Sequence, residues 1–242
     1  MKLLCAAKET DHGEENTMKR SEINSAIAWA KALLEKNNIR LPEAAYWDMD
    51  QWKANADNID TIRRVMLGWD VTDFGTDDFA NVGGVLYTVR NGLLDEPEVG
   101  VPYCEKYIVM KEGQRLPKHY HVFKTEDIIN RAGGVLAVYL WNADKDGNQL
   151  DTDVVVYMDG VRRVFKPGEE ILVYPGCSIS LAPYMAHIFG PKPGAGDLIV
   201  GEVSKVNDDN TDNYFMEPTA RFADIQEDEA ILHPLCNEYD KI

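Results

Sequence analysis

Paired cysteines and long apolar segments are missing from this chain of 242 residues. The four cysteines are scattered, with no CxxC pair, at Cys5, Cys104, Cys177 and Cys236. We expect reduced thiols and a cytoplasmic location, because a chain of this size needs no disulfides to stabilise its core. No apolar run approaches the roughly 20 residues of a membrane span. The apolar patch at residues 3–7 is also shorter than the about 7 to 15 residues of a signal-peptide core.

Basic side chains are few relative to acidic ones. The chain has 25 Lys and Arg residues against 41 Asp and Glu residues, which gives a formal charge of −16. Nucleic acids and anionic membrane surfaces both require a basic patch, so we expect neither as a partner. Aromatic residues make up 10% of the chain, which argues against general disorder. We expect residues 1–17 to be a disordered lead-in and residues 18–242 to form a single domain.

Two helical segments precede a series of short strands. Ser21 is predicted as the N-cap of the first helix, in which apolar residues recur at helical spacing. A second helix is expected over about residues 49–64, opened by Asp48 or Asp50. From about residue 69, β-rich runs are separated by turn signals such as Asn91-Gly92. These runs cover residues 84–90, 103–110, 134–141, 154–158, 161–165, 170–174 and 198–203.

The even spacing of these runs indicates the fold class. Short strands without intervening helices are typical of an antiparallel sandwich or barrel. We therefore predict a mainly β protein, with an antiparallel β-barrel over about residues 69–242. The two helical segments would form an N-terminal cap over about residues 18–68.

Histidine is scarce, and two of the five histidines stand two residues apart. His119 and His121 would point to the same face of a strand, because side chains alternate along a strand. Glu126 follows five residues later, and Gly113 and Gly133 flank the stretch. Two imidazoles and a carboxylate suit a divalent Mn, Fe, Co, Ni or Zn ion. The alternative is a pair of surface histidines on an edge strand, but the complete pattern favours a metal site.

The same residues resemble the first signature of the cupin superfamily, whose fold is a jelly-roll barrel. The match follows the spacing Gly113-(x5)-His119-x-His121-(x4)-Glu126-(x6)-Gly133. A second cupin signature supplies one more histidine after a Pro-x-Gly turn. Here that match is poor, because His187 lies eleven residues beyond the turn at Pro175-Gly176. His187 nevertheless follows a β-rich run after that turn, and the resemblance makes it the expected fourth ligand. A histidine beside an apolar run can instead be a core residue.

Longer motifs resemble the D-lyxose isomerase family of cupins over residues 18–242. The matching stretches begin at Leu67, Glu126, Gly201 and Leu235 and read LGWDVTDFG, EDIINRAGG, GEVSKVNDD and LCNEY. The resemblance implies a manganese-dependent enzyme that interconverts D-lyxose with D-xylulose and D-mannose with D-fructose. Zn²⁺, Co²⁺, Ni²⁺ or Fe²⁺ are alternatives to Mn²⁺. A homodimer is the expected assembly, since it is the commonest oligomeric state.

Glu202 and Lys106 are the predicted catalytic residues. Glu202 lies in the apolar run at 198–203, where burial would raise its pKa toward that of a general base. The resemblance supports this role, although Glu202 could instead face solvent at a strand edge. Lys106 precedes the metal motif on a predicted strand, and it would donate to a sugar hydroxyl or stabilise an oxyanion. Its alternative is a solvated strand lysine.

Arg221 and Trp141 are predicted to bind the sugar. Arg221 would donate to hydroxyl groups, and Trp141 would stack on a sugar face, although a strand tryptophan is more often a core residue. The acidic loop at residues 207–213 is a further candidate. Runs of Asp and Asn usually form solvated turns, which we favour for most of this loop.

Two other functions would use the same ligands. An iron-dependent dioxygenase is one, and it would consume oxygen. A non-catalytic sugar-binding cupin is the other, and it would bind a ligand without turnover. The motif resemblance favours the isomerase over both.

Overall fold

The computed structural model describes residues 17–208 and 211–242. Its helices are α1 (Arg20–Lys36), α2 (Met49–Ala54) and α3 (Asp60–Arg64), and 3₁₀ turns cover Glu43–Tyr46, Ala56–Asn58 and Tyr239–Lys241. The first eight strands are β1 (Thr17–Lys19), β2 (Gly68–Thr72), β3 (Gly84–Gly92), β4 (Gly100–Met110), β5 (His119–Tyr120), β6 (Glu126–Gly133), β7 (Leu136–Ala143) and β8 (Gln149–Leu150). The remaining strands are β9 (Val154–Met158), β10 (Val161–Phe165), β11 (Ile171–Val173), β12 (Ser178–Leu181), β13 (Met185–Pro191), β14 (Leu198–Lys205), β15 (Tyr214–Phe215) and β16 (Asp224–Gln226).

Two antiparallel sheets enclose the main core. Among the described strands, one sheet has the order β10-β9-β12-β6-β14-β4-β3-β2. The other has the order β11-β7-β13-β5-β15, with β8 paired to β7. Inward side chains of both sheets pack together, including Ile108 and Leu198 from the first and Val138 and Phe189 from the second. The predicted mainly β barrel is therefore confirmed.

Helix α1 covers the outer face of the larger sheet, as predicted for a helical cap. Its residues Ile23, Ile27 and Leu34 are buried against Trp69 and Val85. Nearly all residues of β2 and β3 are buried, so these strands are covered on both faces of the sheet. Helix α1 is therefore part of the fold, and it packs against the outside of the larger sheet.

The helix boundaries differ from the prediction in two places. Helix α1 begins at Arg20, and Ser21 is not its N-cap. Instead, the backbone N–H and hydroxyl of Ser21 donate to the Asp228 carboxylate at 2.9 and 2.7 Å. The second predicted helix is divided into α2, a 3₁₀ turn and α3. Asp48 does cap α2, but the helix ends at Asn55, whose side chain donates to the carbonyl of Gln51.

The lead-in expected over residues 1–17 lies outside the described residues, except for Thr17. Thr17 begins β1, which pairs in parallel with β16. The N-terminal and C-terminal parts of the domain are thus joined by main-chain hydrogen bonds. Within the described residues, no helix combines the length and the apolar character that crossing a membrane requires.

A buried arginine ties α1 to the C-terminal segment. Arg20 is fully buried, and its guanidinium binds the carboxylates of Glu227 at 2.8 Å and Glu238 at 2.5 to 3.0 Å. Lys241 also donates to both carboxylates, at 2.9 and 2.8 Å. A bidentate pair of this kind stabilises the fold only while both partners remain. Burial has already removed water from the charges, so a charge that loses its partner is left uncompensated.

Replacing Arg20 by methionine should therefore destabilise the protein. We expect the free energy of unfolding to fall by about 3 kcal/mol, at the lower end for a broken buried pair, because Lys241 still faces Glu238. Urea unfolding followed by circular dichroism measures the loss. Arg64→Met is the matched control, because Arg64 and Glu96 form a surface pair with 36% and 45% of their side chains exposed. Equal stability losses in the two variants would contradict the prediction.

Candidate metal and catalytic site

Three histidines converge inside the barrel. His119 lies in β5, His121 follows the end of that strand, and His187 lies in β13 directly opposite His119 in the register. The ring nitrogens that can bind a metal all lie within 4.8 Å of one another. All three side chains are buried. The structure thus brings His187 to the pair that the sequence pattern identified, although only His119 of that pair lies in a strand.

Hydrogen bonds to backbone carbonyls fix the orientation of each imidazole. The Nδ1 atoms of His119, His121 and His187 lie 2.8, 2.5 and 2.9 Å from carbonyl oxygens. A carbonyl can only accept, so each Nδ1 carries a proton, and in a neutral ring the Nε2 atom then presents a lone pair. Such hydrogen bonds are typical of metal-binding histidines.

The Glu126 carboxylate lies beside the histidines without a hydrogen bond to their Nε2 atoms and completes a possible set of metal ligands. Its carboxylate oxygens lie 3.3 Å from His187 Nε2 and 3.5 Å from His121 Nε2. Among the described residues, the Nε2 atoms of His121 and His187 and the Glu126 Oε1 atom are buried and have no hydrogen-bond partner. Buried polar atoms are normally paired, and a cation would satisfy all three. Neutral imidazoles and a carboxylate therefore fit a divalent ion.

His119 and His121 are held in the neutral form that binds metals. Burial lowers the pKa of His119 well below its usual value, and the neighbouring His187 and His121 lower it further. Burial, together with the charge of Lys124, lowers the pKa of His121 to about 4. Protons therefore do not compete with a metal for the Nε2 atoms of His119 and His121 near neutral pH.

A buried lysine between two glutamates was not among the predicted site residues. Lys124 is 3% exposed, and its Nζ atom lies 2.9 Å from both Glu126 and Glu202 and 3.0 Å from Asn207 Oδ1. Burial alone would lower its pKa, but Glu126 and Glu202 raise it above the ordinary lysine value. Lys124 is therefore charged. Its position between the second histidine and Glu126 of the motif was the available signal.

Glu202 and Lys106 face each other on adjacent strands of the larger sheet. They are register partners on β14 and β4, and both are buried and line the same cavity as His119 and His121. The expected rise in the pKa of Glu202 is wrong. Burial does raise it, but Lys124 and Lys106 outweigh burial and lower the pKa below its usual value. Glu202 is therefore ionised at neutral pH.

The structure brings Arg221 to the cavity but not Trp141. Arg221 lines the cavity, and its guanidinium donates to Asp70 Oδ2 at 2.6 Å. Leu140, not Trp141, is the register partner of His187, so alternation along β7 turns Trp141 to the outer face of the sheet. There Lys118 Nζ lies 3.5 Å from the centre of its ring, beside a second cavity. Sequence alternation alone did not reveal which β7 residue faces inward.

Part of the acidic loop also belongs to the site, contrary to the expectation of a solvated turn. Asn207 and Asp212 are buried, and Asn213 lines the cavity. The segment at residues 211–221, here termed the C-terminal strap, also carries Phe215 to the cavity wall. Aromatic and aliphatic side chains complete that wall, namely Phe74, Leu86, Ile108, Leu116, Phe189 and Phe215.

Comparison with known proteins finds relatives of this chain among sugar isomerases. A family model described as D-lyxose isomerase matches residues 18–239. A D-lyxose/D-mannose isomerase of Escherichia coli O157:H7 is 41% identical over 227 residues, covering 92% of this chain and 98% of the relative. A protein of the same name from Serratia proteamaculans is 40% identical over 223 residues, with 92% and 98% covered.

The similar solved structures include L-ribose isomerases. The enzyme of Acinetobacter sp. DL28 in complex with L-ribose has a TM-score of 0.60 at 17% identity, covering 88% of this chain and 99% of that chain. The enzyme of Geodermatophilus obscurus has a TM-score of 0.55 at 16% identity, covering 88% and 100%. At these identities the likeness shows a shared fold.

The depressed pKa of His121 can be tested in the metal-free protein. We expect its imidazole to take up a proton with a pKa of about 4, against about 6.5 in an unfolded chain. Between these values the unfolded chain binds more protons, so this histidine makes the free energy of unfolding rise with pH. Imidazole NMR signals recorded against pH measure the midpoint, and His121→Gln assigns the signal. A titration midpoint of His121 near 6.5 would contradict the prediction that burial lowers its pKa.

Proposed function

The chain belongs to the D-lyxose isomerase family, and we propose that it is a metal-dependent aldose–ketose isomerase. Its substrates would be D-lyxose and D-xylulose, and also D-mannose and D-fructose. The observation that carries the proposal is one cavity that holds a divalent-ion donor set beside an ionised carboxylate. Such a cavity supplies the groups that moving a carbonyl between C1 and C2 of an open-chain sugar requires.

His119, His121, His187 and Glu126 would hold the ion. A bound divalent ion would act as a Lewis acid on the sugar oxygens. We propose Mn²⁺, and Zn²⁺, Co²⁺, Ni²⁺ or Fe²⁺ suit the same nitrogen and oxygen donors. The three imidazoles are fixed by carbonyl hydrogen bonds, so the ligands are oriented before an ion arrives.

Glu202 would move the proton between the two carbons. As an ionised carboxylate it would take the proton from C2 of the aldose, and the resulting carboxylic acid would return that proton to C1. The electron pair left at C2 would form the enediolate, and the hydroxyl proton of O2 would pass to O1 before C1 is protonated. The carbonyl then ends at C2, and the step needs no external oxidant or reductant. The lowered pKa keeps Glu202 in the basic form at neutral pH and makes its acid form a ready proton donor.

Two buried ammonium groups would stabilise the negative charge that develops on the sugar. Lys106 lies across from Glu202, and Lys124 contacts both Glu202 and Glu126. Fixed charges in a cavity with little water act more strongly than they would in solvent. The apolar wall limits water around the enediolate, and Arg221 and Asn213 would bind sugar hydroxyls at the strap.

The proposal extends to the cellular location and the oligomeric state of the protein. The scattered cysteines favour a reducing cytoplasm. A homodimer stays the predicted assembly, which light scattering on the purified protein would determine.

The reaction class can be tested with metal-stripped protein. We expect D-xylulose from D-lyxose and D-fructose from D-mannose after Mn²⁺ is added, and no ketose without it, because the ligand set would then lack its Lewis acid. Chromatographic quantification of ketose measures the yield. Bound Mn²⁺ without ketose from either sugar would contradict the isomerase. Oxygen uptake would then indicate a dioxygenase, and sugar binding without turnover would indicate a binding protein.

The role of Glu202 can be tested by Glu202→Gln. We expect kcat to fall by roughly 10² to 10⁴, the usual contribution of a general base, while bound metal stays at the wild-type level. Glu105→Gln is the matched control, because Glu105 is the β4 neighbour of Lys106 and pairs with surface residue Arg90. A kcat within twofold of wild type in Glu202→Gln would exclude this glutamate as the base.

A further inference from the structure

Asp212 binds three consecutive backbone amides of the loop that carries Lys124. Its Oδ1 atom accepts from the N–H groups of Val122 at 2.8 Å and Phe123 at 3.0 Å. Its Oδ2 atom accepts from the N–H of Lys124 at 2.9 Å. The side chain is only 9% exposed. Successive amides that surround one carboxylate form a strong anion-binding nest, so the carboxylate fixes the path of this loop.

The backbone of the same residue orients a candidate metal ligand. The Asp212 carbonyl oxygen lies 2.5 Å from Nδ1 of His121. One residue of the C-terminal strap therefore contacts every residue from 121 to 124. The histidine stands at one end of that stretch and the buried ammonium group at the other.

The other two histidines are oriented differently. Nδ1 of His119 contacts the carbonyl of Pro117, and Nδ1 of His187 contacts the carbonyl of Met185. Each of those carbonyls lies two residues earlier in the chain, so local backbone geometry supplies it. His121 lies beyond the end of β5 and takes its carbonyl from 91 positions away. The orientation of the His121 ring therefore depends on the position of the C-terminal strap.

We propose that Asp212 is a positioning residue that orients His121 for metal binding and Lys124 for contact with Glu126 and Glu202. The inference rests on the proposed metal site of the isomerase, but not on its turnover. Without the carboxylate, three amides lose their acceptor and the Asp212 carbonyl is no longer held against His121. The metal would then be bound by a less rigidly held set of ligands, because the His121 ring would lose its fixed orientation. Loss of such outer hydrogen-bonding partners typically weakens metal binding about 10- to 100-fold.

The test measures Mn²⁺ affinity without sugar, by calorimetry on metal-stripped protein. We expect Asp212→Ala to bind Mn²⁺ about 10- to 100-fold more weakly than wild type. Asp212→Asn keeps one acceptor oxygen and should fall between the two. Asp144→Asn is the matched control, because the Asp144 carboxylate also accepts from loop amides, those of Asp146 and Asn148, in the hairpin between β7 and β8. Its Mn²⁺ affinity should equal that of wild type.

A second readout separates positioning from a purely structural role. The visible spectrum of Co²⁺-loaded protein reports the geometry of the ligands, and it should change in both Asp212 variants but not in Asp144→Asn. A lower melting temperature with wild-type affinity and spectrum would overturn the proposal. If Asp212→Ala fails to fold, Asp212→Asn alone decides. Wild-type protein that binds neither ion overturns the metal site together with this inference, whereas metal binding without ketose overturns only the isomerase.

Discussion

Contact of the Lys124 ammonium group with two buried carboxylates is the interaction on which the site depends. Glu126 and Glu202 lie inside the barrel, where an unpaired ion loses several kcal/mol of hydration. Lys124 lies 2.9 Å from each, so one cation compensates two anions on neighbouring strands of the larger sheet. This compensation keeps both glutamates ionised. Ionised glutamates are what a metal ligand and a proton acceptor require, so the chemistry follows from the charge balance.

The barrel assembles the site from both sheets. Glu126, Lys106 and Glu202 come from the larger sheet, and His119 and His187 come from the smaller one. Facing sheets are about 10 Å apart, a distance that imidazole and glutamate side chains span from opposite sides. The proposed ion would therefore join the two sheets, while Glu202 and Lys106 stand on one wall. Strand register determines this division, and the loop between β5 and β6 adds His121 and Lys124.

Sequence periodicity identified His119 and His121 as candidate metal ligands but not their surroundings. His119 and His121 were visible because two residues of one type at strand spacing share a face. The sequence did not indicate the roles of Lys124 and Asp212, because isolated lysines and acidic loops are usually solvated. The burial of these two residues depends on contacts between segments that are distant in the sequence. Those contacts also reversed the expected pKa shift of Glu202. Strand β6 escaped the β-rich pattern because its inward positions include Glu126 and Asn130, which removes the apolar alternation.

The charge count of the cavity favours the intermediate of the proposed reaction over both sugars. With neutral imidazoles, the two glutamates balance the two lysines, and Asp70 balances Arg221. A bound divalent ion would add two positive charges that this set of side chains does not neutralise. The aldose and the ketose are uncharged, whereas the enediolate carries negative charge on its oxygens. Electrostatic interactions between the cavity and the sugar that strengthen only as this charge develops lower the activation barrier of the reaction. The barrier falls by the same amount whether the reaction starts from the aldose or from the ketose. The same residues would therefore serve both directions of the proposed isomerisation.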